Sequence, residues 1–281
     1  MVGICRYGIR ERIRLTLNVH KIKKALKILQ QQGFIRLVHI FFSYIEKFKN
    51  TELIPLINYR KNRLRFRSVA HPRKLIWIKP KDVNLWLADD KIKSKKHGAG
   101  GILDSDWDLD VRTIEQKQPN DYSRFIYKSI IEHFKAGVPW EKTELFHKYY
   151  AKQMKIKGTS KMGSRSMEDL VNYYNDKIDR LYDSIKKDGV LLPSKDRPEI
   201  DFLYVHVGRD GEIIWTDGGS HRLLICNYLN VDCIPVRVWW RHKKWQEIRE
   251  KLNADRGQWE ESWAKPYLNH PDLEDIFQPQ K

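Results

Sequence analysis

Thr216, Asp217, Gly218, Gly219, Ser220, His221 and Arg222 are consecutive, and their types suit the handling of a phosphate. Two glycines let the backbone approach a bound group closely. The free N–H groups of a helix start, with the positive end of its dipole, attract an anion. Arg222 offers a planar fork that matches phosphate oxygens. Ser220 either caps the helix or touches the anion. Phosphoryl transfer further needs charge neutralisation, a metal and a base. His221 is the candidate to bond a phosphate oxygen or a leaving group, and Asp217 to position Mg²⁺ or act as base. The competing reading of Asp217 is a turn-forming aspartate. That of His221 is a helix-start histidine bonded to a backbone carbonyl.

A second set is acidic. Asp104, Asp106, Asp108 and Asp110 alternate with other residues. An extended backbone would place all four on one face. Four carboxylates repel unless a cation or basic side chains stand near, so Mg²⁺ is expected, with Asp106 and Asp108 as ligands or base. Asp89 and Asp90 are rivals for that role. An acidic loop paired with Lys and Arg is the competing reading. Glu115 has calcium-loop spacing from Asp104, but Leu109 stands where such a loop requires glycine, which excludes it.

The elements around these residues follow from pattern. Ile213, Ile214 and Trp215 read as a strand entering the glycine turn. Leu223, Leu224, Ile225, Tyr228 and Leu229 read as the buried face of the helix that leaves it. Residues 202–207 alternate as a strand, Arg209 to Glu212 form a hairpin turn, and Ile234 to Trp240 form a further strand. Leu75 to Ile78 read as a strand stopped by Pro80. Val83, Leu85, Trp86 and Leu87 are expected on a short helical turn after Asp82. Residues 121–187 are expected to be mainly helical. One of those helices is opened by Ser166, with Asp169 at capping distance. Lys243 to Leu252 make a last helix, and the chain from Gly257 reads as irregular.

Composition limits the function classes. The chain has 281 residues and a net charge of +17. Residues 1–80 carry 19 Lys and Arg against Glu11, Glu46 and Glu52, whereas the remainder is nearly balanced. The basicity therefore belongs to an N-terminal arm. Ile22, Leu26, Leu29, Leu37, Val38, Phe41, Phe42 and Ile45 give that arm an apolar helical stripe. It is read as lying on an anionic membrane surface, touching nucleic acid, or docking on the main domain. Cys5, Cys226 and Cys233 form no Cys-x-x-Cys pair, so neither a zinc knuckle nor a disulfide framework is expected. A cytoplasmic setting follows, peripheral to the membrane if the arm is an anchor. Three regions result: a basic helical region 1–70, an α/β domain 71–257 and a tail 258–281.

The order of these pieces resembles a known family. Leu181 to Pro193, with Ser184, Ile185, Gly189, Leu191 and Pro193, is similar to the first box of ParB-like domains. Asp217 to Leu223 resembles the next box, a glycine-rich loop whose Arg opens a helix. Asn230 to Val238 resembles the following return to the sheet, and Leu75 to Pro80 the family's first strand. Gly218 to Arg222 is also similar to the sulfiredoxin loop, with Ser220 where those proteins carry cysteine. The resemblance covers residues 74–240, apart from a helical insertion at about 105–170.

The resemblance implies an α/β (α+β) fold of ParB/sulfiredoxin type, a small mixed sheet with flanking helices. It also implies a nucleoside triphosphate or diphosphate held on the loop by Thr216, Gly218, Gly219, Ser220, His221 and Arg222. Asp106, Asp108 and Asp217 would serve as catalytic or metal-binding carboxylates beside His221. Sulfiredoxin chemistry is not expected, because a serine hydroxyl cannot replace a low-pKa thiolate. Chromosome partitioning is disfavoured, since the stretch after Trp240 lacks a convincing pair of recognition helices. The free-serine-kinase-like members fit Asp217, His221 and Arg222 best. The expected function is a nucleotide-dependent phosphotransferase using ATP, ADP or CTP with Mg²⁺. The alternative is a ParB-like nucleic-acid-binding protein with a nucleotide switch or nuclease activity.

Overall fold

The computed structural model describes residues 48–87, 99–113, 122–158, 164, 166–190, 202–216, 218–255, 259 and 263–277, with single positions 34, 38, 42, 45 and 46 before them. Asp217, Asp89, Asp90, Glu115 and most of the basic arm lie outside the described residues. The chain divides into two compact units, Met1–Lys49 and Asn50–Lys281. The second unit therefore begins at Asn50 rather than at residue 71. The reason is packing by α1 (Ile54–Arg63). Its Asn58 and Asn62 amides donate to the carbonyls of Ala99 and Gly100 at 3.0 and 3.1 Å. The basic linker after it is also fixed, because Arg67 and Ser68 donate backbone N–H groups to the Glu250 carboxylate at 2.9 and 2.7 Å.

Among the described residues, seven strands form one mixed sheet. They are β1 (Leu75–Ile78), β2 (Leu85–Leu87), β3 (Gly101–Leu103), β4 (Val111–Thr113), β5 (Leu203–Val207), β6 (Ile213–Trp215) and β7 (Ile234–His242). The order is β1-β7-β5-β6-β2-β4, and β3 also pairs with β7. Strand β7 is an interior strand, next to β1, and runs parallel to β5 on one side. Its other edge is shared by antiparallel β1 and, further along, parallel β3. Burial on both faces explains its Ile, Val and Trp content. Leu85 to Leu87, expected on a helical turn, instead pair in parallel with β6 and antiparallel with β4. The helical part of that segment is only the 3₁₀ turn Pro80–Asp82. Aromatic and branched side chains won a place in the ladder over a weak helical pattern.

The insertion is a helical layer, and the structure shifts its limits. Part of its expected beginning belongs to the sheet as β4. Its helices are α2 (Tyr122–Ala136), α3 (Ala151–Lys157), α4 (Met167–Tyr173) and α5 (Asp179–Asp188). A π-helical segment, Leu145–Tyr150, leads into α3, and another, Tyr174–Ile178, joins α4 to α5. Ser166 caps α4 as its spacing foretold, its hydroxyl accepting from Asp169 N at 3.0 Å. Phe125, Ile126, Ile130, Leu145, Phe146, Leu170 and Ile178 join one core with Leu223 to Cys226 of the next helix, α6 (Ser220–Tyr228).

The C-terminal stretch is not irregular. After α7 (Lys243–Ala254) come two 3₁₀ turns, Lys265–Tyr267 and Pro271–Leu273, and a short α8 (Glu274–Phe277). Asp272 is fully buried and accepts from Arg241 Nε at 2.8 Å, Arg241 Nη2 at 2.5 Å and Trp245 Nε1 at 2.9 Å. Arg249 Nη1 stands 3.4 Å from the same carboxylate. Burial alone would raise the Asp272 pKa, but the two guanidinium groups hold it far below the usual carboxylate range. Arg241 and His242, which end β7, are both buried.

Candidate functional site

The glycine turn joins β6 to α6. Thr216 is anchored by its hydroxyl, which donates to Tyr204 O at 2.9 Å, and Trp215 Nε1 donates to Gly218 O at 2.9 Å. Gly218 and Gly219 are exposed. Gly219 adopts φ +72°, in the left-handed region that favours glycine. A Cβ there would also stand 3.2 Å from Leu203 Cδ1. Gly219 is itself the N-cap, and its carbonyl accepts the first helical bond from Leu223 N at 3.0 Å. Ser220 is thus the first helical residue rather than the cap.

His221 is held by a chain of phenols. Its Nε2 lies 2.9 Å from the Tyr174 hydroxyl. Tyr174 bonds Tyr150 at 2.8 Å, and Tyr150 bonds Tyr122 at 2.8 Å. Tyr150 and Tyr174 are fully buried. Burial pushes all three phenol pKa values upward, so each hydroxyl keeps its proton and remains a donor. Each phenol has one proton to give, so Tyr174 either donates to Nε2 or accepts from it. With Tyr174 donating to Nε2, the imidazole carries its proton on Nδ1. With the chain reversed, Nε2–H donates and Nδ1 accepts. Reversal changes the tautomer of His221 without ionising a phenol. This chain went unseen in the sequence, where Tyr150 and Tyr174 read as apolar helix face. The available signal was tyrosine density: Tyr122, Tyr149, Tyr150, Tyr173 and Tyr174 lie on inward-facing helices, and buried hydroxyls need partners.

The acidic residues stand elsewhere. Ser105 adopts φ +79°, which breaks the alternation, so the four aspartates do not share a face. Asp108 is buried and accepts from Arg209 N at 2.6 Å, Nε at 3.0 Å and Nη2 at 2.7 Å. Asp106 is exposed and pairs with Arg209 Nη2 at 2.8 Å. Asp104 pairs with Lys243 Nζ at 2.9 Å, and Ser105 O bonds His242 Nε2 at 2.7 Å. Burial raises the Asp108 pKa, yet the bonds from Arg209 outweigh it and leave the carboxyl below its ordinary value. The loop is a clasp of ion pairs between β3, the β5–β6 turn and the start of α7.

Sheet register separates this clasp from the glycine turn. β5 and β6 are antiparallel, with Val205 opposite Trp215 and Val207 opposite Ile213. The glycine turn therefore lies at the start of β5, beside Tyr204, and Arg209 follows its end. At about 3.3 Å per residue the two are roughly 16 Å apart. Asp106 and Asp108 are not brought to the glycine turn. Carboxylates already neutralised by Arg209 and Lys243 do not fit a Mg²⁺ seat, and among the described residues no three His, Cys, Asp or Glu side chains gather as one. No helix among them is long and apolar enough to cross a membrane.

No protein-family model, curated protein or solved structure matches the chain. What the fold and the site define is a mixed α/β protein whose central sheet presents a glycine-turned helix start beneath a tyrosine-rich helical layer.

Proposed function

We propose that the chain is a nucleotide-binding protein of ParB/sulfiredoxin-like fold that holds nucleotide phosphates on the turn from Thr216 to Arg222 and transfers a phosphoryl group there. One observation carries the reading. Exposed Gly218 and left-handed Gly219 open α6 at its first N–H groups, where Tyr174 holds His221 and Arg222 follows within the first turn. Backbone donors and a guanidinium neutralise the charge that phosphoryl transfer redistributes. His221 supplies a donor or acceptor whose orientation the phenols fix. The order of strand, glycine turn, helix and interior strand β7 supports the same family likeness. Since the acidic clasp lies at the other end of β5, Asp217 is the carboxylate assigned to the base or to the nucleotide's Mg²⁺.

Calorimetric titration with ATP, ADP and CTP in the presence of Mg²⁺ tests this. Saturable binding weakened at least tenfold by Arg222→Ala is expected. Absence of binding at millimolar nucleotide would sink it.

The N-terminal arm favours an anionic membrane surface over nucleic acid as its partner. Phe34, Phe42, Ile45 and Phe48 are 70, 62, 44 and 47 % exposed, and their spacing puts them on one helix face. An exposed apolar face in a basic segment suits a lipid interface, whereas phosphate-backbone binding needs only the charge.

A further inference from the structure

The helical layer contains a cleft that no role assigned so far uses. It measures about 230 Å³ and is lined by Phe125, Lys148, Tyr149, Lys152, Gln153, Ile156 and Lys157. Phe125 and Tyr149 supply rings 5.9 Å apart, and Gln153 Nε2 donates to the Tyr149 hydroxyl at 3.0 Å, which fixes that ring. Ile156 is 68 % exposed at the cleft. Lys148 is steadied by Glu144 at 3.0 Å. Glu144 also receives Lys128, and among the described residues no carboxylate lines the cleft itself. Three ammonium groups around an aromatic and aliphatic surface are unusual for a solvated helix face, where acidic residues commonly alternate with basic ones.

Such a lining selects its ligand by chemistry. Ammonium groups are point charges that suit a phosphate dianion. Rings and Ile156 gain by covering an apolar ring face. The volume lies below that of pockets for drug-sized molecules, so a single ring fits better than a whole nucleotide. We propose that this cleft is a second anion site, which seats a small ring-bearing phosphomonoester with its phosphate among Lys148, Lys152 and Lys157.

The cleft is joined to the glycine turn by one aromatic wall. The Tyr149 ring lies 4.8 Å from that of Tyr122, and the Tyr122 ring lies 6.4 Å from His221. The Tyr149 and Tyr122 rings therefore stand between a ligand seated here and His221. Its binding does not rest on the reading of the turn given above.

The test titrates the full chain with 4-nitrophenyl phosphate, using 4-nitrophenol as the uncharged control. The background is Gly219→Glu, which removes anion binding at the turn, and Arg222→Ala is a second background should Gly219→Glu fold poorly. In either background the phosphate ester is expected to bind and 4-nitrophenol at least tenfold more weakly. Lys152→Glu with Lys157→Glu is expected to lower ester affinity at least tenfold while the circular dichroism is unchanged, since both lysines are exposed. Raising the salt is expected to weaken binding. Equal binding of ester and phenol, or ester binding indifferent to the lysine reversal, overturns the proposal. Nucleotide binding by the unmodified turn is read separately in the lysine variant, so failure of one site is distinguishable from failure of the other.

Discussion

Acid should destabilise this fold through His206, by an amount that can be worked out. His206 lies on β5, is 2 % exposed, and stacks on Trp240 with ring centroids 4.5 Å apart. Trp107 presents its edge at 5.5 Å. Nδ1 has no hydrogen-bond partner among the described residues. Burial pushes the imidazole pKa down to about 3. In an unfolded chain it is about 6.5. Above pH 6.5 neither state binds the proton. Below it the unfolded chain protonates and the folded one does not, so stability falls with falling pH until the folded pKa is reached. The slope is about 1.4 kcal/mol per pH unit, so from pH 7 to 4.5 the loss from this residue is about 2.5 kcal/mol. The size depends only on the folded pKa lying below 4.5. His206→Phe keeps a ring against Trp240 and removes the titration. Urea unfolding followed by tryptophan fluorescence at both pH values gives the comparison. The stability difference between pH 7 and 4.5 should be smaller in the variant by about 2.5 kcal/mol, the carboxylate contributions cancelling in the subtraction. An identical difference in both proteins would mean that the folded imidazole takes up its proton freely, and would refute the argument.

Three further outcomes are expected. Asp272→Asn leaves Arg241 buried without its counter-ion and Arg249 with Asp275 alone, and should lower stability by about 3–5 kcal/mol, read as a fall in the urea midpoint; an unchanged midpoint contradicts the packing described. Tyr174→Phe removes the last phenol bond to His221 and should change the tautomer balance seen in imidazole ¹⁵N shifts, at a stability cost of about 1–2 kcal/mol; unaltered shifts would show that the phenols do not orient the ring. Phe42→Glu with Ile45→Glu should abolish co-flotation with anionic vesicles and leave the urea midpoint of the 50–281 unit in place; flotation that persists removes the membrane reading.

Local pattern made the sheet centre and the glycine turn legible. Val205, Val207, Val236 and Val238 announce strands, and Gly218 with Gly219 announces a turn before an apolar helix. Several other features depend on partners distant in sequence. Asp108 reads as one of four similar aspartates, and only the arrival of Arg209 beside it makes it a buried ion pair. Asp272 sits in a stretch rich in Pro, Asn and His, and nothing local signals that Arg241, Trp245 and Arg249 converge on it. Leu85 to Leu87 is too short for its period to separate strand from helix, and pairing with β4 and β6 decided it. The separation of the acidic residues from the glycine turn is a matter of register, which alternation along a single segment does not encode.

The most direct test of the central claim asks where a nucleotide's phosphates rest. Backbone amide shifts recorded during titration with ATP, ADP or CTP and Mg²⁺ give the answer. The account predicts that the largest changes fall on Gly218, Gly219, Ser220 and His221, and vanish in Arg222→Ala. Shifts clustered at Asp106, Asp108 and Arg209 instead, or no shifts at millimolar nucleotide, would contradict it.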